Sequence, residues 1–556
     1  MEVKLLLALF LYGIRALEFP VYRMQQYSLE GHTHGCKSVQ VNAESRTLEA
    51  EILTRRCVLM RITEFSVERW SRVLAQSVAA VLILVPPDSP KQLPGSVQEF
   101  VEREMEILRN ETLFPVYFAV ENTALLDMYE ETRSASLSLT SASAWEVLFG
   151  MVMGSGFQMT TTEVQSKPIA HPLIITLEGQ LMGRGGDTAE LPSVVIVAHY
   201  DSFGAAPYLA YGADSNGSGV SMLLEMVGLF HLLYSNWRTQ PRYNMVFALT
   251  GGGKFNYHGS KRWIEEHLDH SETSFLHENV ALVLCLDSLA NGDSLHLHVS
   301  RPPPEGSAQW EFLKQLQLVT QSPLFLGLNF SLVHKKINLG ESLLAWEHEQ
   351  FSLRRLPAFT VSHLHSHKSG MRKSLLDTRP RVDIKRLRRN TEVLCEALAR
   401  VLYRDTTKGN LENMQIFKEA LSVDEERLSA ILDWLVSQPR AAQLIDRTHP
   451  ILSTMEHLFK RHLRDHLRFV YYVIRSDKGS VHVTRDLVLS HFRQPDFVFY
   501  DQMKQTMTSH RVKPAVFDLF MAFAIAAYLG VIHQAIQNFG PAYNMFIRLI
   551  TKQKKR

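Results

Sequence analysis

A short apolar segment, residues 194–198 (VVIVA), constrains the fold of this chain more than any other feature. Its β-branched residues are typical of a parallel strand that is buried on both faces, and residues 199–201 (HYD) follow it directly. Two similar segments come later, at residues 243–250 (YNMVFALT) and 280–286 (VALVLCL), and the last one ends at Asp287. We therefore predict an open α/β sheet whose functional site lies at the carboxyl ends of its strands.

A glycine-rich turn lies between the first two of these strands. Residues 212–219 read GADSNGSG, with Asp214 near the centre, and an apolar helical pattern follows over residues 220–233. The second strand is followed by residues 251–254 (GGGK) and then by Gly259-Ser260. Together these stretches resemble the family of di-zinc aminopeptidases and carboxypeptidases with a phosphorylase-like α/β fold.

That resemblance implies which side chains would hold metal. His199 matches the first zinc ligand of the family, and Asp201 matches the carboxylate that orients it. Asp214 matches the aspartate that bridges the two metals, and Asp287 matches a further ligand at a strand end. The family also has two adjacent glutamates five residues before a Gly-Ser pair: a general base and a zinc ligand.

Gly253 and Lys254 stand where the two glutamates are expected. Activating a metal-bound water needs a base within hydrogen-bond reach, and glycine has no side chain to serve as one. An ammonium group ~4 Å from a divalent ion costs about 8 kcal/mol at an effective dielectric of ~20. We therefore predict no catalytic residues and no metal or other cofactor, with His199, Asp214 and Asp287 as vestigial positions.

The missing glutamates favour a non-catalytic scaffold role, and two alternatives to that role stay open. An active zinc aminopeptidase or carboxypeptidase would need a substitute base, and the sequence offers Glu225 and the pair Glu265-Glu266. The other alternative is a pocket that binds a peptide or signal without turnover.

The family takes its last zinc ligand from a histidine after a late strand, here residues 356–361 (LPAFTV). Three histidines follow, His363, His365 and His367, and the sequence does not choose among them or exclude an ordinary solvated loop. The clusters at residues 347–349 (EHE) and 296–298 (HLH) match no family position, and we interpret them as surface or internally satisfied polar groups.

Length and composition indicate a multi-domain globular protein. The chain has 556 residues, enough for two to four domains. Its net charge of +2 and its 21% of charged residues give no reason to expect binding to nucleic acid.

The pattern of apolar and charged residues divides the chain into six predicted parts. Residues 1–17 contain an apolar run, LLLALFLYGI, that is typical of a secretory signal peptide, although a first buried strand is the alternative. Residues 18–165 form an α/β lobe that distantly resembles the protease-associated domain. The other predicted parts are a peptidase-like domain (166–405), a helical lumenal region (406–512), a transmembrane helix (515–536) and a basic cytosolic tail (537–556).

The predicted span rests on an apolar stretch and on the charges after it. Residues 519–532 carry no charge, and the flanking residues extend them to the length that crosses a bilayer. The basic tail ends in KQKKR and favours the cytosolic side. A signal peptide with one late span predicts a single-pass type I membrane protein, although a buried helix is the alternative.

Cysteines and glycosylation sequons are relevant because the predicted signal peptide and membrane span place most of the chain in the lumen. Cys36 and Cys57 are the one pair worth considering as a disulfide, whereas Cys285 and Cys395 fall in buried patterns. The sequons are at Asn110, Asn216 and Asn329. A glycan on Asn216 would crowd the pocket entrance, although an Asn-Gly pair is also ordinary turn chemistry.

Four motifs extend the resemblance over nearly the whole chain: HYDSFG, GADSNGSG, GGGKFNY and RVKPAVFDL. They resemble the nicalin family, which is membrane-anchored and related to nicastrin and to the peptidases above. The resemblance implies a non-catalytic subunit of an endoplasmic reticulum complex, anchored in the lipid bilayer. Its implied partners are a nodal-modulator lumenal protein, a small multi-pass membrane protein and the ribosome-associated translocon. It also implies a role in multi-pass membrane-protein biogenesis and in Nodal signalling.

Overall fold

The computed structural model of the chain describes most of its residues. The described residues are 16–29, 32–87, 94–141, 156–162, 165–169, 173–185, 191–269, 279–341, 343–404, 415–463, 465–472, 498–512, 515–540, 543–544 and 547. The predicted signal peptide lies outside them apart from residues 16 and 17, which begin a strand, and so does most of the predicted cytosolic tail.

The described strands and helices alternate along most of the chain. The strands are β1 Ala16–Arg23, β2 Gln26–Leu29, β3 His32–Gly35, β4 Asn42–Thr47, β5 Cys57–Arg61, β6 Ala80–Val85, β7 Val116–Val120, β8 Gly156–Thr161, β9 Leu173–Leu181, β10 Ser193–His199, β11 Asn244–Thr250, β12 Val280–Leu286, β13 Ser294–Val299, β14 Asn329–His334, β15 Ala358–Ser362, β16 Asp465–Tyr472, β17 Val498–Phe499 and β18 Lys504–Val512. The helices are α1 Val67–Ala75, α2 Gly95–Arg109, α3 Thr123–Ser141, α4 Gly219–Ser235, α5 His258–Asp269, α6 Ala308–Thr320, α7 His348–Leu353, α8 Ile384–Leu402, α9 Glu425–Leu435, α10 Pro450–His462 and α11 Ala515–Gln537.

The first lobe is a closed barrel of seven strands in the order β1-β18-β8-β4-β5-β6-β7. Strands β4 to β7 run parallel to one another, and all six residues of β6 (AVLILV) are buried, as expected for a strand covered on both faces. Strand β18 closes the barrel by pairing with β1 and β8. The lobe predicted from residues 18–165 is therefore completed by a segment from the far end of the chain.

The second lobe contains an eight-stranded mixed sheet in the order β14-β13-β15-β12-β10-β11-β9-β16. Its centre is parallel: β10 lies between β11 and β12, and β12 also pairs with β15. Helices α4 and α8 contribute to the largest apolar core, together with side chains of the sheet. The predicted α/β sheet with flanking helices is confirmed.

The prediction that residues 406–512 form a helical region is only partly right. Helices α9 and α10 lie there, but β16, β17 and β18 lie there as well. Strand β16 pairs antiparallel with β9 over its whole length, with Phe469 opposite Thr176. A strand at the edge of a sheet gains backbone hydrogen bonds from its neighbour that local sequence patterns do not reveal. Strand β16 therefore joins the second lobe as the edge strand of its sheet.

One described helix is long and apolar enough to cross a membrane, and α11 contains a shorter apolar stretch, Met521–Gln537; their surroundings distinguish them. The helical segment Ala213–Ser235, which includes α4, passes a test of length and composition, but most of it is buried inside the second lobe. Helix α11 exposes its large apolar side chains, for example Phe523 and Leu529 at 66% and 58%. Its 23 residues are ~35 Å long at 1.5 Å per residue, close to the thickness of a bilayer core. Burial therefore assigns the first helix to the core and leaves α11 as the candidate span.

All four cysteines are buried and free. Cys36 and Cys57 do not form the disulfide that the sequence left open. Cys36 instead donates from its thiol to the Met24 carbonyl, with an S to O distance of 3.2 Å, and burial raises the pKa of the Cys57 thiol to about 12.

We predict that the barrel needs β18. A fragment that ends after Val512 keeps the strand and should fold, whereas one that ends after Met503 should lose the barrel, because β1 and β8 are left with unpaired edges and the fully buried Met507 is removed. Limited proteolysis of the two fragments, mapped by mass spectrometry, measures the difference. Equal resistance of residues 16–161 in both fragments would contradict the assignment of β18.

Candidate functional site

The carboxyl ends of the parallel strands bring the predicted residues to one edge of the sheet. His199 ends β10, Lys254 lies in the loop after β11, Asp287 follows β12 and His363 follows β15. Asp214 reaches the same place from the turn before α4, and its carboxylate accepts the Ala290 N–H at 3.0 Å. The site thus forms where the order of the strands predicts it.

An arginine that the sequence analysis missed occupies the centre of this site. The guanidinium of Arg372 binds Asp287 Oδ2 through two nitrogens, at 2.9 and 2.5 Å. Both side chains are almost fully buried, with 5% and 1% exposed. Burial opposes the charge on Asp287, but Arg372 and then Lys254 outweigh it and hold the pKa of the carboxyl well below its ordinary range.

Arg372 is fixed on its other sides as well. Its guanidinium lies 4.1 Å from the centre of the Trp346 ring, donates to the Ala345 carbonyl at 2.8 Å and donates to the Tyr257 hydroxyl. Contact with an aromatic face and donation of several N–H groups to a carboxylate are both typical of arginine. Nothing local in the sequence marks this residue, because it lies 85 positions from Asp287 in a short turn.

Lys254 adds a second cation. Its side chain is buried, and its Nζ donates to the Ser215 hydroxyl at 2.5 Å, which in turn donates to Asp287 at 3.1 Å. Burial lowers the pKa of Lys254, while the charge of Asp287 opposes that change. Two basic side chains therefore surround the carboxylate that matches a metal ligand.

The structure selects His363 from the three candidate histidines. Its Nε2 lies 2.7 Å from Asp214 Oδ2. Burial opposes the charge on both groups, but their attraction and hydrogen bond lower the pKa of Asp214 and raise that of His363. Asp377, another residue that the sequence did not reveal, accepts the N–H groups of Asp214 and Ser215 at 2.9 and 2.8 Å. Burial, and then the charge of Asp214, raise its pKa to about 6.

His199 is oriented by a different carboxylate from the one that the resemblance implies. Its Nδ1 lies 3.2 Å from Glu347 Oε2, and Glu347 also accepts the hydroxyls of Thr250 and Ser260 at 2.9 and 2.5 Å. Asp201 instead accepts the backbone N–H groups of Gly253 and Lys254, at 2.7 and 3.2 Å. The implied role of Asp201 as the partner of His199 is therefore wrong, and this carboxylate shapes the loop after β11.

Gly253 has no room for a side chain. A Cβ atom added there would lie 2.3 Å from Cγ of the His199 ring, far inside van der Waals contact. The backbone of the loop thus packs directly against the imidazole. A glutamate at position 253 would require either the histidine or the loop to move. A single substitution at this position would therefore not restore the general base.

The loop that precedes Asp214 is held by a buried arginine from the C-terminal half. Arg440 donates to the Tyr200, Tyr211 and Gly212 carbonyls at 2.9, 2.9 and 2.7 Å and is fully buried. Burial lowers its pKa to about 10, although Asp377 and Asp201 oppose the change.

These residues do not fit the two zinc ions of the resembling peptidases. Arg372 and Lys254 are positively charged and surround the position of one ligand, so they would repel a dication. In the part of the chain that the structure describes, no three His, Cys, Asp or Glu side chains are grouped to hold a metal. A space of about 340 Å³ remains beside Asp214, His363 and Arg372, and it is lined by groups of both charges.

The substitute bases suggested by the sequence are engaged elsewhere. Glu225 is buried on α4 and forms an ion pair with Arg427 of α9. Glu265 lies on α5, next to Glu266, and forms ion pairs with Arg262 and Arg354. The acid and histidine clusters are internal, as one interpretation of the sequence held: His298 Nε2 lies 2.8 Å from the Leu364 carbonyl, for example.

A glycan on Asn216 is incompatible with this structure. The side chain is fully buried, and its amide nitrogen donates to the His199 and Leu286 carbonyls at 3.0 and 2.8 Å. The prediction of this glycan is therefore wrong, because the turn uses the amide to join two strand ends. Asn110 and Asn329 are exposed, and their glycosylation stays a prediction.

Comparison with known proteins identifies the family. Residues 181–323 match the family model of Peptidase family M28. The Homo sapiens protein BOS complex subunit NCLN is 51% identical over 97% of this chain and 92% of its own length. The Caenorhabditis elegans protein Nicalin is 28% identical over 93% of this chain and 89% of its own length. The chain belongs to the nicalin family.

The fold of this nicalin-family chain is similar to that of a solved structure. The crystal structure of the gamma-secretase component nicastrin superimposes with a TM-score of 0.59 at 10% identity, covering 88% of this chain and 99% of the nicastrin chain. The family resemblance predicted from the four sequence motifs is therefore confirmed, and so is the peptidase-like fold.

We predict that the packing at Gly253 is essential to the stability of this nicalin-family chain. Gly253→Ala should lose about 1–3 kcal/mol of unfolding free energy, because the added methyl group collides with His199. Gly228→Ala is the matched control: this glycine of α4 has open space around it, and alanine should stabilise the helix by about 0.5–1 kcal/mol. Urea unfolding of the purified chains measures both. A neutral effect at Gly253 would show that the loop is not in contact with the ring.

We also predict that Arg372 stabilises the site through Asp287. Arg372→Met should cost about 3–5 kcal/mol near neutral pH, because a buried carboxylate loses its partner. The exposed Arg103, which pairs with Glu106, should cost less than about 1 kcal/mol when it is changed to Met.

The pH dependence follows from the lowered pKa of Asp287. A group with a lowered pKa in the folded state contributes stability above its unfolded pKa of about 4 and loses that contribution as the pH falls. The stability difference between the original chain and Arg372→Met should therefore shrink below about pH 4. Urea midpoints measured across the acid range test this, and a difference that does not change with pH would contradict the pairing.

Proposed function

We propose that this chain is a non-catalytic, membrane-anchored scaffold subunit of an endoplasmic reticulum complex, with its two folded lobes in the lumen. The observation that carries the proposal is the occupation of the peptidase-like site by Arg372 and Lys254. A hydrolase of this family would need two zinc ions and a base at the same place.

The chemistry of the site supports the loss of catalysis. Gly253 supplies no base and leaves no space for one, and Lys254 places an ammonium group where the resemblance implies a zinc ligand. The carboxylate of Asp287 is already neutralised by Arg372. The vestigial His199, Asp214 and Asp287 thus form an internal polar network that holds the strand ends together.

The membrane proposal is supported by α11 and by the sequence around it. Its exposed apolar side chains would be covered by lipid, which removes the cost of leaving them in water. The basic residues after position 547 favour a cytosolic tail. With a signal peptide in residues 1–17, this gives a single-pass type I protein of the endoplasmic reticulum membrane.

The proposed partners follow from the family. Relatives that are about 50% identical carry the name BOS complex subunit, and we infer that this chain enters the same kind of complex. Its partners would be a nodal-modulator lumenal protein, a small multi-pass membrane protein and the ribosome-associated translocon. The complex would assist multi-pass membrane-protein biogenesis, and it would also modulate Nodal signalling.

The first experiment measures zinc and hydrolysis together. The full-length chain is purified in mild detergent without chelator, beside an active M28 aminopeptidase treated in the same way. We expect far less than one zinc per chain and no hydrolysis of aminoacyl amides, because cations occupy the site. About two zinc ions per chain with hydrolysis that a chelator abolishes would instead establish an enzyme.

The scaffold role needs a separate measurement. The tagged chain is recovered from microsomes of its own cells in digitonin, and the eluate is probed with antibodies against nodal modulator and against the translocon pore. Both should be retained by the full chain at a mass well above that of the single chain. Recovery of the chain alone, with both proteins present in the microsomes, would contradict the proposal.

A further inference from the structure

The two ends of the barrel differ in what they are attached to. Strand β18 runs from Lys504 to Val512, and only two residues separate its end from Ala515, the first residue of α11. The three residue steps from Val512 to Ala515 span at most ~11 Å. The Val512 end of the barrel is therefore the end that meets the proposed membrane helix.

Two other chain segments reach the barrel at this end. Ala16, the first residue of β1, is opposite His510, and Gly156, the first residue of β8, is opposite Val512. Ala16, the first described residue of the chain, thus lies beside the place where the chain leaves β18 for α11.

Helix α3 closes this end of the barrel. Ser136 accepts the N–H of Thr47, the last residue of β4, at 3.3 Å, and Glu131 forms an ion pair with Arg511. On the inner side of the helix, Met128 and Tyr129 are buried in the apolar cluster that fills the barrel.

The outer side of α3 is exposed and polar. It presents Asp127, Glu130, Ser134 and Leu137 away from the barrel. Carboxylates are costly in hydrocarbon but compatible with a hydrated layer of lipid headgroups. Because two of these residues are acidic, zwitterionic headgroups suit the surface better than anionic ones.

The opposite end of the barrel is joined to the peptidase-like lobe. Just after β1, Gln25 donates its backbone N–H to the Ala205 carbonyl at 2.8 Å and its side-chain amide to the Gly204 carbonyl at 2.9 Å. Lys504, the first residue of β18, lies over the Tyr208 ring at 6.0 Å. Eight residue steps at ~3.4 Å separate this end from Val512 along the strand, or ~27 Å.

We propose that the α3 end of the barrel rests on the headgroups of a zwitterionic phospholipid bilayer and that the barrel holds the peptidase-like lobe away from the membrane. This inference rests on the proposed membrane anchor and adds the surface that contacts the lipid. It also places the lobe that contains the vestigial site in the lumen, where soluble partners or lumenal domains meet it.

Two cysteine variants test the orientation. Ser134→Cys carries a fluorescent dye on the exposed face of α3, and Lys504→Cys carries the same dye at the far end of the barrel, where the lysine is also exposed. The four native cysteines are buried and should not react in the folded protein. Each full-length variant is placed in phosphatidylcholine nanodiscs that contain a quencher on the lipid headgroup. We expect quenching at position 134 to be several-fold stronger than at position 504.

The possible outcomes separate this inference from the proposed anchor. Equal quenching at both positions in incorporated protein would mean that the barrel lies on its side, and stronger quenching at position 504 would mean that it is inverted. Either result overturns the inference while the anchor stands. Failure of the chain to enter nanodiscs, with residues 515–537 open to protease, would overturn the anchor and the inference together.

Discussion

The contact between Asp287 and Arg372 is the interaction on which the rest of the site depends. Several carboxylates converge at the ends of the parallel strands, and a group of buried negative charges is unstable without a compensating cation. In the resembling peptidases, two zinc ions would supply that charge. Here the polypeptide supplies it, through the Arg372 guanidinium and the Lys254 ammonium. The acidic strand ends of this fold are therefore compensated by side chains of the chain itself.

This arrangement is tied to the backbone around it. Arg372 is clamped between Asp287 and the Trp346 ring, and Gly253 lets the loop after β11 pack directly on His199. Arg440 then fixes the loop before Asp214 by donating to three carbonyls. Arg372 binds Asp287 directly and Lys254 reaches it through Ser215, so substitutions at these two cations should have non-additive effects on stability. The carboxylates of Asp287, Asp214 and Glu347 are all paired with protein groups, which suits a structural role better than turnover, while His199 Nε2 and Arg440 Nε are buried without a hydrogen-bond partner among the described residues.

The barrel links the two ends of the chain. Strand β18 follows the peptidase-like domain by a long stretch of sequence and then inserts between β1 and β8. Bringing β18 back to β1 and β8 closes a long loop, and the entropic cost of that closure rises only slowly with loop length. In return, the barrel has no unpaired strand edge. The same strand connects the folded body to α11. One segment therefore both closes the barrel and leads into the proposed membrane helix.

Much of this protein can be predicted from local sequence. Apolar runs that end in His199 and Asp287 identify buried parallel strands, because a strand covered on both faces has no polar side to interrupt it. The order of those strands predicts where their polar ends meet, and the absent glutamates at positions 253 and 254 predict the loss of the metal chemistry. The apolar character of α11 can likewise be predicted from its composition, whereas its exposure is seen only in the structure.

Tertiary structure decided what depends on contacts between distant residues. Arg372, Glu347 and Asp377 are unremarkable in the sequence and become site residues only when turns far along the chain bring them to Asp287, His199 and Asp214. Strands β16 and β18 take their conformation from the neighbours they pair with rather than from their own pattern. Asn216 lies in a sequon, but its side chain is fully buried and therefore cannot carry a glycan in this fold. Local sequence determined the strands and the Gly253-Lys254 pair that stands where two glutamates are expected; long-range packing decided which cations lie beside the acidic strand ends.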